Sequence, residues 1–163
     1  MGQKTHPLGF RLGITQEHKS AWFTNLNQYA VLLQEDDKIR TYLKPFMKTA
    51  SISDIRINRN SRGDQIELTI ETARPGILVG QGGLGIENLS KNIKRILPKN
   101  HQIRINITEV ENADLSAPLI ADYVVEQLEK RIAFRRAIRK AMQRAQVAKA
   151  SGIKIQVSGR LNG

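Results

Sequence analysis

Apolar residues recur at helical spacing along residues 29–48, which predicts an amphipathic α-helix. The residues that form this pattern are Tyr29, Leu32, Leu33, Ile39, Leu43, Phe46 and Met47. Pro45 interrupts the stretch. Because proline lacks the amide hydrogen that a helix uses, we expect it to end the helix early or to kink it.

Three shorter stretches alternate apolar and polar residues, and they predict β-strands. The first two flank a turn-forming sequence at residues 60–64 and predict a β-hairpin with one buried face, while the third ends near Val110. The alternating apolar residues are Ile52, Ile55 and Ile57, then Ile66, Leu68 and Ile70, and finally Ile103, Ile105 and Ile107.

A proline, a glycine cluster and another helical pattern separate the second strand from the third. Pro75 suits the first turn of a helix, so residues 75–79 predict a short helical piece before the glycines of residues 80–85. Helical spacing then continues to Pro98 through Ile86, Leu89, Ile93 and Ile96.

The second half of the chain predicts two helices and one strand. Residues 111–114 are expected to be a linker, followed by helices at residues 117–130 and 131–149. A last strand is predicted from the alternation of Ile153, Ile155 and Val157. One strand cannot form a sheet, so it either pairs with another chain or belongs with a C-terminal segment beyond these 163 residues, and we expect the second.

These elements predict an α+β protein in three parts. Residues 1–28 are expected to be an extended N-terminal segment. Residues 29–110 form a compact domain in the order helix, hairpin, helix, glycine loop, helix, strand. Residues 111–163 are the first part of a second, incomplete α/β domain.

The composition excludes several classes of protein. It is globular, with 40% apolar and 25% charged residues, and no apolar stretch approaches the roughly 18 residues of a membrane span. The chain has no cysteine, which removes disulfides, cysteine-bound metals and thiol nucleophiles. His6, His18 and His101 are scattered, and we expect each at the surface or facing RNA. We therefore predict no catalytic residue, no metal and no cofactor.

The net charge of +11 is concentrated in the last fifth of the chain. Residues 130–163 carry ten basic and no acidic side chains, whereas residues 1–129 carry 16 basic and 15 acidic ones. A surface that only maintains solubility mixes both signs. This segregation predicts a polyanionic partner.

The predicted helix at residues 131–149 has two different faces. Phe134, Ala137 and Ile138 begin an apolar face that alanines continue. The opposite face is basic and consists of Arg135, Arg136, Arg139, Lys140 and Arg144. Because alanine inserts poorly into lipid, this pattern favours nucleic acid over an acidic membrane surface.

The glycine cluster fits two motifs. Residues 80–85 match G-x-G-x-x-G, which binds dinucleotides when a strand leads into it. Gly80, Gln81, Gly82 and Gly83 also match the G-x-x-G loop of KH domains, which joins two helices and lets a nucleic-acid backbone approach. A helix connection that binds nothing is equally open. The helical prediction at Pro75 argues against a dinucleotide.

Several motifs, in order along all 163 residues, match one known family. They are Met1-Gly2-Gln3-Lys4, Gly9-Phe10-Arg11-Leu12-Gly13, Thr72-Ala73-Arg74-Pro75-Gly76, Ile105-Asn106-Ile107, Phe134-Arg135-Arg136-Ala137 and Val157-Ser158-Gly159-Arg160-Leu161. The chain resembles bacterial-type small-subunit ribosomal protein three. Residues 13–18 and 33–36 are similar to its cyanobacterial and plastid branch in particular.

The resemblance implies a type II KH domain, a C-terminal α/β domain, and a place on the small-subunit head at the mRNA entry site. It implies ribosomal RNA, mRNA and neighbouring head proteins as partners, no membrane, and a ribosome of the plastid stroma or, alternatively, the cyanobacterial cytoplasm. The residues that we expect to bind RNA are Lys4, Arg11, Arg131, Arg135, Arg136, Arg139, Lys140, Arg144, Lys154 and Arg160. Members of this family often have a basic residue inside the G-x-x-G loop, whereas this chain has Gln81 and Gly82 at those positions. A dinucleotide-binding enzyme and an extraribosomal KH factor are the alternatives.

Overall fold

The computed structural model describes residues 2–60, 64–98 and 101–160. Within them the order of elements matches the predicted α+β fold. The helices are α1 (Pro7–Arg11), α2 (Leu26–Ala50), α3 (Pro75–Val79), α4 (Leu84–Ile96), α5 (Ala117–Glu129) and α6 (Phe134–Val147). The strands are β1 (Ser20–Ala21), β2 (Ile52–Arg59), β3 (Gln65–Thr72) and β4 (Gln102–Glu109). Single 3₁₀ turns lie at Gln81–Gly83 and Ala113–Leu115.

The sheet of the described residues has the order β1-β2-β3-β4. β2 and β3 are antiparallel with Ile57 opposite Leu68, so the predicted hairpin is confirmed, although residues 61–63 of its turn lie outside the described residues. β4 runs parallel to β3, with Ile103 beside Ile66.

One face of this sheet carries the first hydrophobic core. Ile66, Leu68 and Ile70 are each no more than 1% exposed, which confirms the predicted register. A shift of one residue would move all three to the opposite face. Ile39 of α2 and Ile93 of α4 cover them. The other face is polar, and α2, α3 and α4 all pack on the apolar side.

α2 is longer than the pattern predicts, and Pro45 neither starts nor ends it. The missing amide removes a single hydrogen bond within the helix. Leu43 and Ala50, on either side of the proline, are fully buried, and this packing holds the helix together across the defect. Ser51, in the left-handed conformation with φ of 54°, ends it.

The first 28 residues are not all extended, so that prediction is wrong where they are helical. Residues 7–11 form α1 and α2 begins at Leu26, whereas β1 is an extended strand that adds to the edge of β2 in parallel. Arg40 of α2 holds this segment by donating to the Lys19 carbonyl at 3.0 Å and to the Ser20 hydroxyl at 2.9 Å. Trp22 donates its indole N–H to Asp36 at 2.8 Å. Tertiary contacts therefore order a segment that has no strong local pattern.

A cluster of charged side chains is buried between α2, β2 and the start of β4. The Arg59 guanidinium is 2.8 Å from Glu35 and 2.6 Å from Asp36, and all three side chains are at least 96% buried. His101 is also buried, with Nε2 3.4 Å from a Glu35 oxygen, although this nitrogen has no hydrogen bond to a described residue. The expectation that every histidine is at the surface or facing RNA is therefore wrong for His101.

The second unit has a separate, smaller core. Ile120 and Val124 of α5 pack against Ala141 and Ala145 of α6. α6 begins at Phe134 and not at residue 131, because Arg131 adopts a positive φ of 56° that interrupts the helix. In the described part of the chain, no helix is long and apolar enough to cross a membrane.

The predicted last strand is wrong. Ile153, Ile155 and Val157 do pack against the second core, as their alternation requires. Residues 152–158 nevertheless form no strand within the described part of the chain. A strand is defined by backbone hydrogen bonds to a neighbour, and no described residues supply one here. The alternation thus identified the buried side chains correctly and the hydrogen bonding incorrectly.

Candidate nucleic-acid interface

Three alanines fix the orientation of α6. Ala137, Ala141 and Ala145 recur every four residues, and each is at most 1% exposed. Because residues four apart lie above one another on a helix, they form one narrow buried stripe, in which Ala141 and Ala145 pack against α5. Their small side chains let the two helices approach closely. The stripe therefore directs the opposite side of α6 toward solvent.

Four cations occupy that outer side, and we call them the cationic face: Arg135, Arg136, Arg139 and Lys140. All four are exposed. None of them forms an ion pair with an acidic side chain of the described residues. Arg135 lies over the ring of Phe134, with Cζ 5.7 Å from the ring centre. The guanidinium and ammonium groups are thus available to an external anion.

Arg144 differs from the cationic face, although the sequence predicts the same role for it. Its Nη2 is 2.6 Å from Asp114 Oδ1, and its Cζ is 4.4 Å from the centre of the Tyr123 ring. At roughly 100° per residue, Arg144 falls about 60° from the centre of the alanine stripe, nearer than any member of the cationic face. The sequence therefore contains a signal that Arg144 differs from the other cations of α6. It does not identify Asp114 and Tyr123 as the partners of Arg144.

The other predicted RNA-binding residues are scattered. Lys4 and Arg11 are exposed on the N-terminal segment, where Arg11 Nη1 donates to the Pro7 carbonyl at 3.0 Å. Arg131, Lys154 and Arg160 are exposed in the second unit, before and after α6. α6 is thus where the cations are most concentrated.

The glycine loop connects two helices, as predicted. α3 leads into it, so the strand that a dinucleotide fingerprint requires is missing among the described residues. Gly80, Gly82 and Gly83 have φ of 67°, 60° and 83°, a conformation that favours glycine. Gln81 is exposed and uncharged, so the loop offers backbone amides but no charged group to RNA.

The last glycine of the G-x-G-x-x-G match has a packing role. A Cβ added to Gly85 would overlap the carbonyl oxygen of Leu78 and lie 2.8 Å from that of Val79. Gly85 therefore lets α4 approach the backbone of α3. Turn geometry and helix packing account for the whole motif without a ligand.

A cleft of about 430 Å³ lies between the end of α2, the connection from β3 to α3, α5 and α6. Lys48 from α2 reaches Glu129 of α5 across it at 2.5 Å, and this hydrogen bond with its ion pair raises the pKa of Lys48. Burial raises the pKa of Asp122, and the charge of Lys48 partly opposes that shift. The described residues contain no group of three metal-ligating side chains.

Two sequence profiles match the chain, one for each half. The profile described as "KH domain" covers residues 38–115. The profile described as "Ribosomal protein S3, C-terminal domain" covers residues 124–163. The first includes β2, β3 and β4, α3, the glycine loop and α4, and the second includes the whole of α6. The predicted combination of a KH domain with an S3 C-terminal domain is confirmed.

Curated relatives match over the entire chain. The protein named "Small ribosomal subunit protein uS3c" of Thalassiosira pseudonana is 66% identical over 163 residues, which are 100% of this chain and 76% of that protein. The protein of the same name in Trieres chinensis is 69% identical with the same coverage. The uS3 protein of the cyanobacterium Thermosynechococcus vestitus is 54% identical over 100% of this chain and 68% of its own length. This chain belongs to the ribosomal protein S3 family, in the branch shared by plastids and cyanobacteria.

Proposed function

We propose that this chain binds RNA at the mRNA entry site of the small ribosomal subunit, and that the cationic face of α6 contacts the phosphates of incoming message. One observation carries the proposal. Four exposed cations share one side of a helix, and no acidic side chain of the described residues neutralises them. A stable folded surface of that kind is complementary to a polyanion.

The chemistry of these side chains suits a message of any sequence. Arginine predominates on the cationic face, and its planar fork grips a phosphate with two parallel hydrogen bonds. Contacts to phosphate position a nucleic acid but carry no base information. A protein that admits every message needs this kind of contact, because base-specific contacts would favour some messages over others.

As a member of the S3 family, the chain is a structural component of the small ribosomal subunit and not an enzyme, and the dinucleotide-binding alternative has no support. Contacts of Lys4, Arg11, Arg131, Lys154 and Arg160 with ribosomal RNA belong to the proposal. The proposal also includes contacts with neighbouring proteins of the subunit head. It places the ribosome that contains this chain in the plastid stroma. The relatives named uS3c favour that location.

The salt dependence of RNA binding tests the proposal. We compare the full chain with the triple variant R135A/R136A/R139A, using a single-stranded oligouridylate RNA as the probe. Each lost phosphate contact reduces the slope of log K against log salt by about 0.7 on a single strand, so the triple variant should flatten the slope by about 2.

The matched control removes three exposed cations from α4. Variant K91A/K94A/R95A has the same net charge as the α6 variant. If the cationic face contacts phosphate directly, the α4 variant keeps a slope close to that of the original chain. Equal flattening by both triple variants would show that only net charge matters, and would contradict the proposal.

A further inference from the structure

The Arg144 guanidinium has two partners within the chain, although its side chain is 44% exposed. Its Nη2 is 2.6 Å from an Asp114 carboxylate oxygen, and its Cζ lies over the Tyr123 ring, 4.4 Å from the ring centre. A phosphate that approached this edge would compete with the Asp114 carboxylate, because the edge of the guanidinium is where bidentate hydrogen bonds form. Arg144 is therefore a poor candidate for an RNA contact.

The partner of Arg144 lies at an informative place in the fold. Asp114 belongs to the 3₁₀ turn Ala113–Leu115, within the connection that joins β4 to α5. Two residues later, the Ser116 hydroxyl is hydrogen-bonded to the Ser53 hydroxyl of β2 at 2.8 Å. A continuous series of contacts thus runs from α6 through the connection to the KH sheet.

We propose that Arg144 is a positioning residue, which fixes α6 to the interdomain connection and so sets where the cationic face stands relative to the KH domain. The inference rests on the proposed function, since this orientation matters for function only if the cationic face binds RNA. It separates the five cations predicted on α6 into four that face outward and one that holds the helix in place.

Two features make arginine specifically suited to this role. The carboxylate and the ring are engaged by different parts of one rigid, planar group, and their directions are fixed by its geometry. A lysine at position 144 would keep the charge but has no planar face to stack on Tyr123. The positive charge of a lysine therefore cannot reproduce both contacts of Arg144.

The orientation can be measured in the full chain without RNA. The chain has no cysteine, so N58C on β2 and Q143C on α6 allow two spin labels at exposed positions without further changes. Electron–electron double resonance then gives the distribution of distances between the labels. We expect a narrow distribution for the otherwise unchanged chain and for K140A, and a broad one for R144A, R144K and D114A.

RNA binding by the same variants separates the two roles. K140A should flatten the salt slope on oligouridylate RNA by about 0.7, whereas R144A should leave the slope unchanged while weakening the affinity. Circular dichroism and the emission of Trp22 show whether each variant is folded. If R144A does not fold, R144K provides the same comparison with the charge retained.

Three results would overturn the inference. Two concern the distances between the labels: a distribution for R144A as narrow as that for K140A, or a distribution for R144K like that of the unchanged chain. The third is a salt slope that R144A flattens as much as K140A does. Failure of the proposed function looks different. In that case neither K140A nor the R135A/R136A/R139A variant changes the slope, yet R144A and R144K still broaden the distance distribution, which supports the anchoring role.

Discussion

Gly85 determines how closely α4 approaches α3, because its missing side chain leaves room for the carbonyl oxygens of Leu78 and Val79. Overpacking of a well-packed contact costs typically 1–3 kcal/mol, and here the obstacle is backbone, which cannot rotate away as a side chain does.

We therefore expect G85A to lower the free energy of unfolding by about 3 kcal/mol, measured by chemical denaturation with Trp22 emission. The control is G76A, where an added Cβ meets no atom within 4 Å and φ is not positive. G76A should be neutral or stabilising by up to about 1 kcal/mol. Equal effects of the two variants would show that the close approach at Gly85 is not important.

The surroundings of Asp122 and Glu126 on α5 shift the pKa values of these two carboxyl groups in opposite directions. Burial raises the pKa of Asp122 above its ordinary value of 3.8, whereas the hydrogen bond from Lys130 lowers the pKa of Glu126 below 4.5. Folding thus disfavours the ionised form of Asp122 and favours that of Glu126. The contribution of Asp122 to stability falls as pH rises above 3.8, and that of Glu126 is lost as pH falls below 4.5.

At neutral pH we expect D122N to raise the midpoint of thermal unfolding slightly, corresponding to at most about 0.5 kcal/mol, and E126Q to lower it. Both differences should vanish in acid, where the carboxyl groups of the original chain are protonated. A pH series of melting curves checks this. Two variants that change stability in the same direction at neutral pH would contradict the assignment.

At the level of single residues, the sequence predicts which face of a helix a residue occupies better than it predicts which other residues it contacts. The alanines and the cations of α6 follow from helical spacing alone. The Asp114 carboxylate and Tyr123 ring that engage Arg144 could not be predicted, since they come from other elements brought together by the fold. His101 could not be placed for the same reason, because it is buried beside Glu35 of α2, which is distant in the sequence.

At the scale of elements, α2 and β2 are joined by the buried ion cluster as well as by apolar packing. Arg59 of β2 pairs with both Glu35 and Asp36 of α2. A buried ion pair does not by itself show that a fold is stabilised, because burying the charges offsets their attraction. Removal of one partner is strongly destabilising, because it leaves the other charges buried without compensation.

We therefore expect R59M to lower the free energy of unfolding by about 3–5 kcal/mol or to prevent folding. R56M is the control on the same strand, because Arg56 pairs with Glu71 at 3.0 Å on the polar, partly exposed face of the sheet. Its effect should stay within about 1 kcal/mol. Chemical denaturation measures both, and a small effect of R59M would contradict the importance of the cluster.

Periodicity predicts most elements of the described residues, since the hairpin, the third strand and four of the six helices have clear patterns. It fails where a local pattern is compatible with two structures. Pro45 was expected to disrupt α2, but packing on both sides maintains the helix. Residues 153–157 have the alternation of a strand, but alternation reports which side chains are buried and says nothing of a hydrogen-bonded neighbour.

At the scale of the whole molecule, the charge changes within the second unit and not at the boundary between the two cores. Residues 1–129, which include the larger core and α5, carry 16 basic and 15 acidic side chains, whereas residues 130–163, which include α6, carry ten basic and no acidic ones. Polar contacts join the two units, including Lys48 with Glu129 and Ser53 with Ser116. The cationic face of α6 is thus presented by a support whose charges are nearly balanced.

The most direct test of this account is site-specific photo-crosslinking on assembled small subunits. A photoreactive residue replaces Gln143, which is exposed among the cations of α6, or, as the control, Lys94 on α4. The subunits carry a message that extends through the entrance. We predict crosslinks between position 143 and the message, independent of its sequence, and none from position 94. Crosslinks from position 143 only to ribosomal RNA or to another protein would contradict the account.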